Sequence, residues 1–256
     1  MNQDIASCAS LVQRGDPDRF QAIMSTTVAL REKLFPLYAF NVEVARAPWV
    51  TQETMIAEMR LQWWRDALEE IEKGGAVRRH EVVTPLASIL SGRDVSLLDR
   101  LIEARRWDIY KDPFENEAHY KRYLDDTAGN LLVTAVALVG EADEAAVRQI
   151  AFADGLARWF QAIPKLEEQQ RVPLVDGRPE ALVALANDAL TGLTSARRML
   201  GRSNPDVASV LRSTWLAAPI LKQVVASPSL VADGALGTSE FRKKFNLLAK
   251  SFKGSW

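Results

Sequence analysis

Apolar residues recur at helical spacing along almost the whole of this 256-residue chain, and that periodicity leaves little room for anything but a helical bundle. Ile5, Cys8, Ala9, Leu11 and Val12 form a stripe over residues 2–14. Asp16-Pro17 opens a second helix with proline in its first turn. It runs through Phe20, Ile23 and Val28 towards Phe40 and Val44, and Pro36 is expected to bend or divide it. Thr51 reads as the cap of a third helix, and Gly74-Gly75 as its end. Further helices are expected from Thr84, over 94–108, over HYKRYLDDTAGNLLVTAVALVG, and over 142–163, 180–201 and 204–226. No alternating strand pattern or hairpin signal interrupts them. No linker divides the chain. The expectation is therefore one all-α domain over 1–256, closed by a distinct tail at 239–256.

Composition narrows the function classes. Hydrophobic residues make up 48% of the chain and charged ones 25%, which suits a globular core. A formal net charge of -1 gives no electrostatic signature of nucleic-acid binding. Cys8 has no disulfide partner, and His80 and His119 lack ligand neighbours at zinc spacing. The N-terminus lacks the basic start and apolar run of a signal peptide, and no apolar stretch reaches bilayer length. These features point to a cytoplasmic protein, with contact at the inner face of the membrane left open.

Four segments carry a family resemblance. They are LYAFNVEVARAP at 37–48, EMRLQWWRDALEEI at 58–71, YLDDTAGNLLVTAVALVG at 123–140 and DGLARWFQAIPKLEEQQRVPLV at 154–175. Their order and spacing resemble the squalene/phytoene synthase family, through most of residues 5–225. The resemblance implies the isoprenoid synthase fold, a helical bundle around a central cavity. Active members join two prenyl diphosphates head to head, using two aspartate-rich motifs on cavity-facing helices. Carboxylates at i and i+4 share one helix face and hold magnesium, and the metal assists departure of the diphosphate.

The chain departs from that pattern at both places. After LYAF come Asn41, Val42, Glu43, Val44, Ala45, Arg46, Ala47, Pro48 and Trp49, with no aspartate. Pro48 is expected to end the helix there. After Gly155-Leu156-Ala157 come Arg158 to Glu168, where Pro164 is expected to break the helix. Glu167 and Glu168 are adjacent and so point to different faces. RVPLV at 171–175 still matches a family landmark. The double loss resembles the noncatalytic branch that includes complex I assembly factors and their bacterial relatives.

The resulting expectation is a noncatalytic scaffold or isoprenoid/lipid binder without a cofactor, acting through a protein or membrane partner. The alternative is a head-to-head prenyltransferase with an atypical magnesium site. Candidate cavity residues are Phe40, Asn41, Val44, Arg46, Arg60, Trp64, Gly129 and Gln161. Glu43 with Arg46 or Arg60 is expected to supply an ion pair in place of the metal cluster. Trp63-Trp64 line a pocket or pack as core, and Asp125-Asp126 read as a solvated face. In the tail, Phe241, Phe245, Leu248 and Phe252 recur at helical spacing beside Arg242, Lys243, Lys244, Lys250 and Lys253. Phe241, Arg242, Lys244, Phe245 and Phe252 are the membrane or partner candidates; the other reading folds that apolar face back onto the bundle.

Overall fold

Side-chain caps set half of the α-helix starts. The structure is a computed structural model that describes residues 3–201 and 204–256, so Asn2, at the start of the first stripe, lies outside it. Asp16 accepts from the Arg19 amide and separates α1 (Gln3–Gly15) from α2 (Pro17–Met24). Thr27 caps α3 (Val28–Arg46). The chain therefore breaks at 25–27, and Pro36 sits inside a continuous helix instead of dividing it. A 3-10 turn, Ala47–Trp49, follows, as Pro48 requires. α4 (Thr54–Glu72) starts three residues beyond Thr51, whose hydroxyl accepts from the Glu53 amide. Gly74, at φ +65°, turns the chain out of it.

α5 (Val83–Ala87) and α6 (Gly92–Arg105) follow, the latter opened by a reciprocal Ser91–Asp94 capping box. The segment expected as one helix around Gly129 is three pieces. These are α7 (Glu117–Leu124), a π-helical turn (Asp125–Gly129) and α8 (Asn130–Ala137). α9 (Glu144–Glu168), capped by Asp143, runs straight through Pro164. α10 (Pro179–Leu200), α11 (Pro205–Leu211), α12 (Ala217–Ala226), α13 (Ser229–Ala232) and α14 (Glu240–Phe252) complete the chain. There is no strand among the described residues.

α9 is the central staff, packed against α8, α10, α12, α13 and the π-helical turn. α1 lies on α3, and α4 and α8 both pack on α6. One continuous core joins these helices, with Tyr38, Phe35, Phe40 and Phe160 among its largest fully buried side chains. The staff is drawn close to the π-helical turn by Gly155. A Cβ there would lie 2.8 Å from the Ala128 Cβ, nearer than two carbons approach without displacement.

Candidate functional site: a cation-lined cavity without a metal cradle

A cavity of about 430 Å³ lies where α2, α3, α9 and the π-helical turn converge. α3 contributes Asn41 and Ala45, one turn apart, and the following turn adds Trp49. α9 and its cap contribute Gly155, Arg158, Trp159, Ala162, Lys165, Leu166 and Gln169. Tyr123, Leu124, Thr127, Ala128 and Leu131 line the side formed by the π-helical turn, which Thr127 pins by donating to the Tyr123 carbonyl at 2.6 Å. Arg19, Arg105 and Asp108 complete the wall. The lining is thus mainly apolar, as a chain-binding cavity requires, with four cationic side chains set into it.

Its cations come from four places. Arg19 and Arg158 are joined through two aspartates behind the wall. Asp16 Oδ2 accepts from Arg19 Nη1 at 3.0 Å and from Arg158 Nη1 at 3.1 Å. Asp154 Oδ2 accepts from Arg19 Nη2 at 3.1 Å and from Arg158 Nε at 2.9 Å. This is a closed quartet of two guanidiniums and two carboxylates. Burial alone would raise the Asp16 pKa, but Arg158 and Arg19 hold it below the ordinary carboxylate value. Arg158 is likewise held above its ordinary value by Asp154 and Asp16, against the opposing effect of its burial.

Arg105 belongs to a second group. It donates to Asp108 at 3.0 Å and to the Tyr123 hydroxyl at 2.7 Å, while that hydroxyl donates to Asp108 Oδ1 at 2.8 Å. Burial drives the Tyr123 hydroxyl well above its usual pKa, so it stays a neutral donor. Arg171 ties the Asp108 carbonyl and, at 2.7 Å, the Tyr110 carbonyl, with its guanidinium 4.6 Å from the Trp49 ring centre. Lys165 is the fourth cation and is exposed.

The magnesium that the fold family implies does not fit these walls. The two α3 positions facing the cavity at i and i+4 carry an amide and a methyl group, Asn41 and Ala45. The positions that α9 and its cap give to the cavity carry Gly155, Arg158, Trp159, Ala162, Lys165, Leu166 and Gln169, none of them a carboxylate. Asp108 is the sole carboxylate lining the cavity among the described residues, and its oxygens are engaged by Arg105 and Tyr123. Glu167 and Glu168 are exposed and outside the cavity. Among the described residues no group of three or more His, Cys, Asp or Glu is placed to hold a metal.

Of the eight cavity candidates read from the sequence, only Asn41 lines this cavity. Phe40 and Val44 are fully buried core, Phe40 meeting Trp64 edge-on at 5.4 Å. Trp64, Arg46 and Arg60 line a separate open groove with Glu43, Trp63 and His80. Arg46 does pair with Glu43, at 3.1 Å, but its side chain is 54% exposed, so it does not substitute for metal charge in the central cavity. Arg60 is exposed and Glu43 is matched to Arg46 instead. Gly129 sits in the π-helical turn, where a Cβ would meet Asp125 Oδ1 at 2.6 Å; it shapes that turn but does not face the cavity. Gln161 is on the outer face of α9, exposed, donating to the Leu236 carbonyl at 3.4 Å. Asp125 is no displaced metal ligand: Arg148 donates to it at 2.8 Å.

The residues that sequence reading missed are Arg19, Arg105, Asp108, Arg158 and Lys165. Three pairs had a local signal, Asp16-Arg19 and Arg105-Asp108 at i,i+3 and Asp154-Arg158 at i,i+4 beside Gly155, and Lys165 had none. In the tail, Phe241, Arg242, Lys244, Phe245 and Phe252 are all exposed.

Comparison with known proteins then places the fold. Residues 12–175 match the family model described as squalene/phytoene synthase. A dehydrosqualene synthase crystal structure superposes with a TM-score of 0.81 at 15% identity, covering 99% of this chain and 98% of the other. A squalene synthase from Alicyclobacillus acidocaldarius superposes at 0.72 and 16% identity, covering 92% of this chain and 95% of the other. The Drosophila melanogaster homologue of NADH dehydrogenase (ubiquinone) complex I assembly factor 6 is 29% identical over 176 residues, 64% of this chain and 52% of that protein. The Homo sapiens protein of that name is 23% identical over 180 residues, 64% of this chain and 51% of that protein. The chain thus spans about half the length of these curated relatives.

Proposed function

The chain belongs to the squalene/phytoene synthase family, and we propose that it is a noncatalytic member that acts as an assembly factor for respiratory complex I at the inner face of the membrane. The carrying observation is the chemistry of the two opposed walls. Asn41 and Ala45 on α3 share the cavity with Ala162 and Leu166 on α9, where condensation would call for carboxylates. A diphosphate leaves only when its developing charge is met, and in active relatives magnesium meets it. Here nothing on either wall can carry that metal, and most of the cavity's own cations are already matched by Asp16, Asp154 and Asp108. The name of the curated relatives supports the assembly role.

In this reading the retained cavity holds an isoprenoid or another lipid chain without transforming it, and no metal is required. Trp159, Leu124, Leu131 and Leu166 offer apolar contact, and Lys165 a cation for an anionic end. No described helix is long and apolar enough to cross a membrane, so in this reading the protein meets its membrane-embedded target from outside the bilayer.

The test is genetic and biochemical together. Deleting the gene in its own host is expected to lower the amount of assembled complex I on native gels, with restoration by the wild-type chain. Incubating the purified protein with magnesium and farnesyl or geranylgeranyl diphosphate is expected to give no condensation product. Unchanged complex I in the deletion strain overturns the assembly role, and magnesium-dependent product overturns the noncatalytic reading.

A further inference from the structure

α14 docks the wrong way round for an amphipathic helix. Its polar flank faces the protein. Lys243 Nζ donates to Asp18 Oδ1 at 3.0 Å and pairs with Glu240. Leu247 is its one buried residue, and beyond the helix Arg212 Nε donates to the Ser255 carbonyl at 3.1 Å. The Arg197 guanidinium lies 5.3 Å from the centre of the Trp256 ring. These contacts hold the helix on the body by one side and fix which side is left outside.

The side left outside is the apolar one. Phe241 is 79% exposed, Phe252 91%, and Phe245 and Leu248 are exposed as well. The Phe241 and Phe245 rings lie nearly parallel with centroids 6.4 Å apart. Scattered apolar residues on a surface need no explanation, but a contiguous strip of four on one helix marks an interaction surface. Arg242, Lys244 and Lys253 are exposed on the same helix and its end.

Charge decides the occupant. Residues 239–256 hold five of the chain's 32 Lys and Arg and one of its 33 Asp and Glu. That acid, Glu240, is paired with Lys243. An anionic surface therefore attracts this segment while the acidic remainder of the chain is repelled. A helix with aromatic and aliphatic groups on one face and lysine and arginine beside them suits the headgroup region of an anionic bilayer.

We propose that α14 is a surface anchor that lays Phe241, Phe245, Leu248 and Phe252 into the headgroup region of an anionic membrane, while Lys243 and Leu247 keep it attached to the bundle. The inference stands on the placement of α14 and is independent of the assembly-factor reading.

Co-sedimentation of the full chain with vesicles tests it, using phosphatidylcholine with and without phosphatidylglycerol. The wild-type protein is expected in the pellet only with the anionic vesicles, and raised salt is expected to release it. The triple variant R242Q/K244Q/K253Q should lose partitioning by about fivefold for each cation removed. F241S/F245S/F252S should lose at least about tenfold even in low salt. All six side chains are exposed, and matching thermal melts will show that neither variant is unfolded. Wild-type protein remaining in the supernatant with anionic vesicles overturns the proposal. So does retention of both variants at the wild-type level, or a concentration-dependent dimer in sedimentation velocity that F241S/F245S/F252S abolishes while vesicle binding persists.

Discussion

Replacing Asp16 with asparagine isolates the charge of the quartet from everything else this residue does. Asp16 caps α2 by accepting from the Arg19 amide at 3.0 Å, a role asparagine fills equally well. Its second oxygen accepts from Arg19 and Arg158, and the substitution removes the negative charge there. Two guanidiniums, with Arg19 itself 8% exposed, are then left to share Asp154. Breaking a buried ion pair on one side costs about 3–5 kcal/mol, because the remaining charge stays desolvated. At about 2–4 °C per kcal/mol for a chain of this size, D16N should melt roughly 6–20 °C below wild type at neutral pH.

The pH dependence has a definite sign. Arg158 and Arg19 depress the folded pKa of Asp16 against its burial. Its contribution is therefore fully present above the ordinary aspartate value and is lost as pH falls through the lower, folded one. The gap between wild type and D16N should be widest near neutrality and narrow below about pH 4. Thermal unfolding followed by circular dichroism across that range gives both quantities. In the double variant D16N/R158Q the loss should be smaller than the two single losses added, by more than about 1 kcal/mol. A D16N midpoint within about 2 °C of wild type at pH 7, or a gap that does not narrow in acid, would refute this account of the quartet.

Three further outcomes follow from the same geometry. G155L should cost several kcal/mol, since even a Cβ meets Ala128 at 2.8 Å, and a melt equal to wild type would show that the close approach of α9 is dispensable. Millimolar magnesium should leave the melting temperature unchanged, because stabilisation by a ligand requires a site that binds the folded state; a clear rise would expose a metal site. Cys8 is fully buried, and that burial, followed by the nearby charges of Glu81 and Asp4, pushes its thiol up to about 12. It should therefore resist a thiol reagent such as DTNB at pH 8 and react on unfolding; rapid native labelling would contradict its placement.

The helical architecture was legible because the apolar period of a buried stripe is a property of the local sequence. Pro36 and Pro164 misled for a specific reason. Each removes one backbone hydrogen bond, which ends an isolated helix, but α3 and α9 are held by packing along their length, Pro36 itself being buried. The π-helical turn at Asp125–Gly129 was hidden because one extra residue per turn barely alters the spacing of apolar side chains. At the site, Asn41 could be placed because it follows LYAF. Arg19 could not: its pair with Asp16 is local and announces only a helix start, while Asp154, which ties it to the cavity wall, lies 135 residues away. In the tail the spacing of the phenylalanines was readable, but the side that docks was not. Apolar periodicity says which residues share a face, and only the partners of Lys243 and the burial of Leu247 say which way that face turns.

Under the noncatalytic proposal, the charges around the cavity explain how a synthase fold would persist without a metal. Carboxylates on both walls would need bound cations, since clustered like charges in a partly desolvated site repel one another. This chain has amide, methyl and leucine groups at Asn41, Ala45, Ala162 and Leu166 instead. The arginines that remain are matched from behind, Arg19 and Arg158 by Asp16 and Asp154, and Arg105 by Asp108 with Tyr123. The charge of these three arginines is therefore met within the chain. Restoring acids on one wall alone, as in N41D/A45D, adds repulsion without completing a metal cradle. On the noncatalytic reading the two walls are coupled through charge, and condensation would require carboxylates on both, at Asn41 and Ala45 and at Ala162 and Leu166.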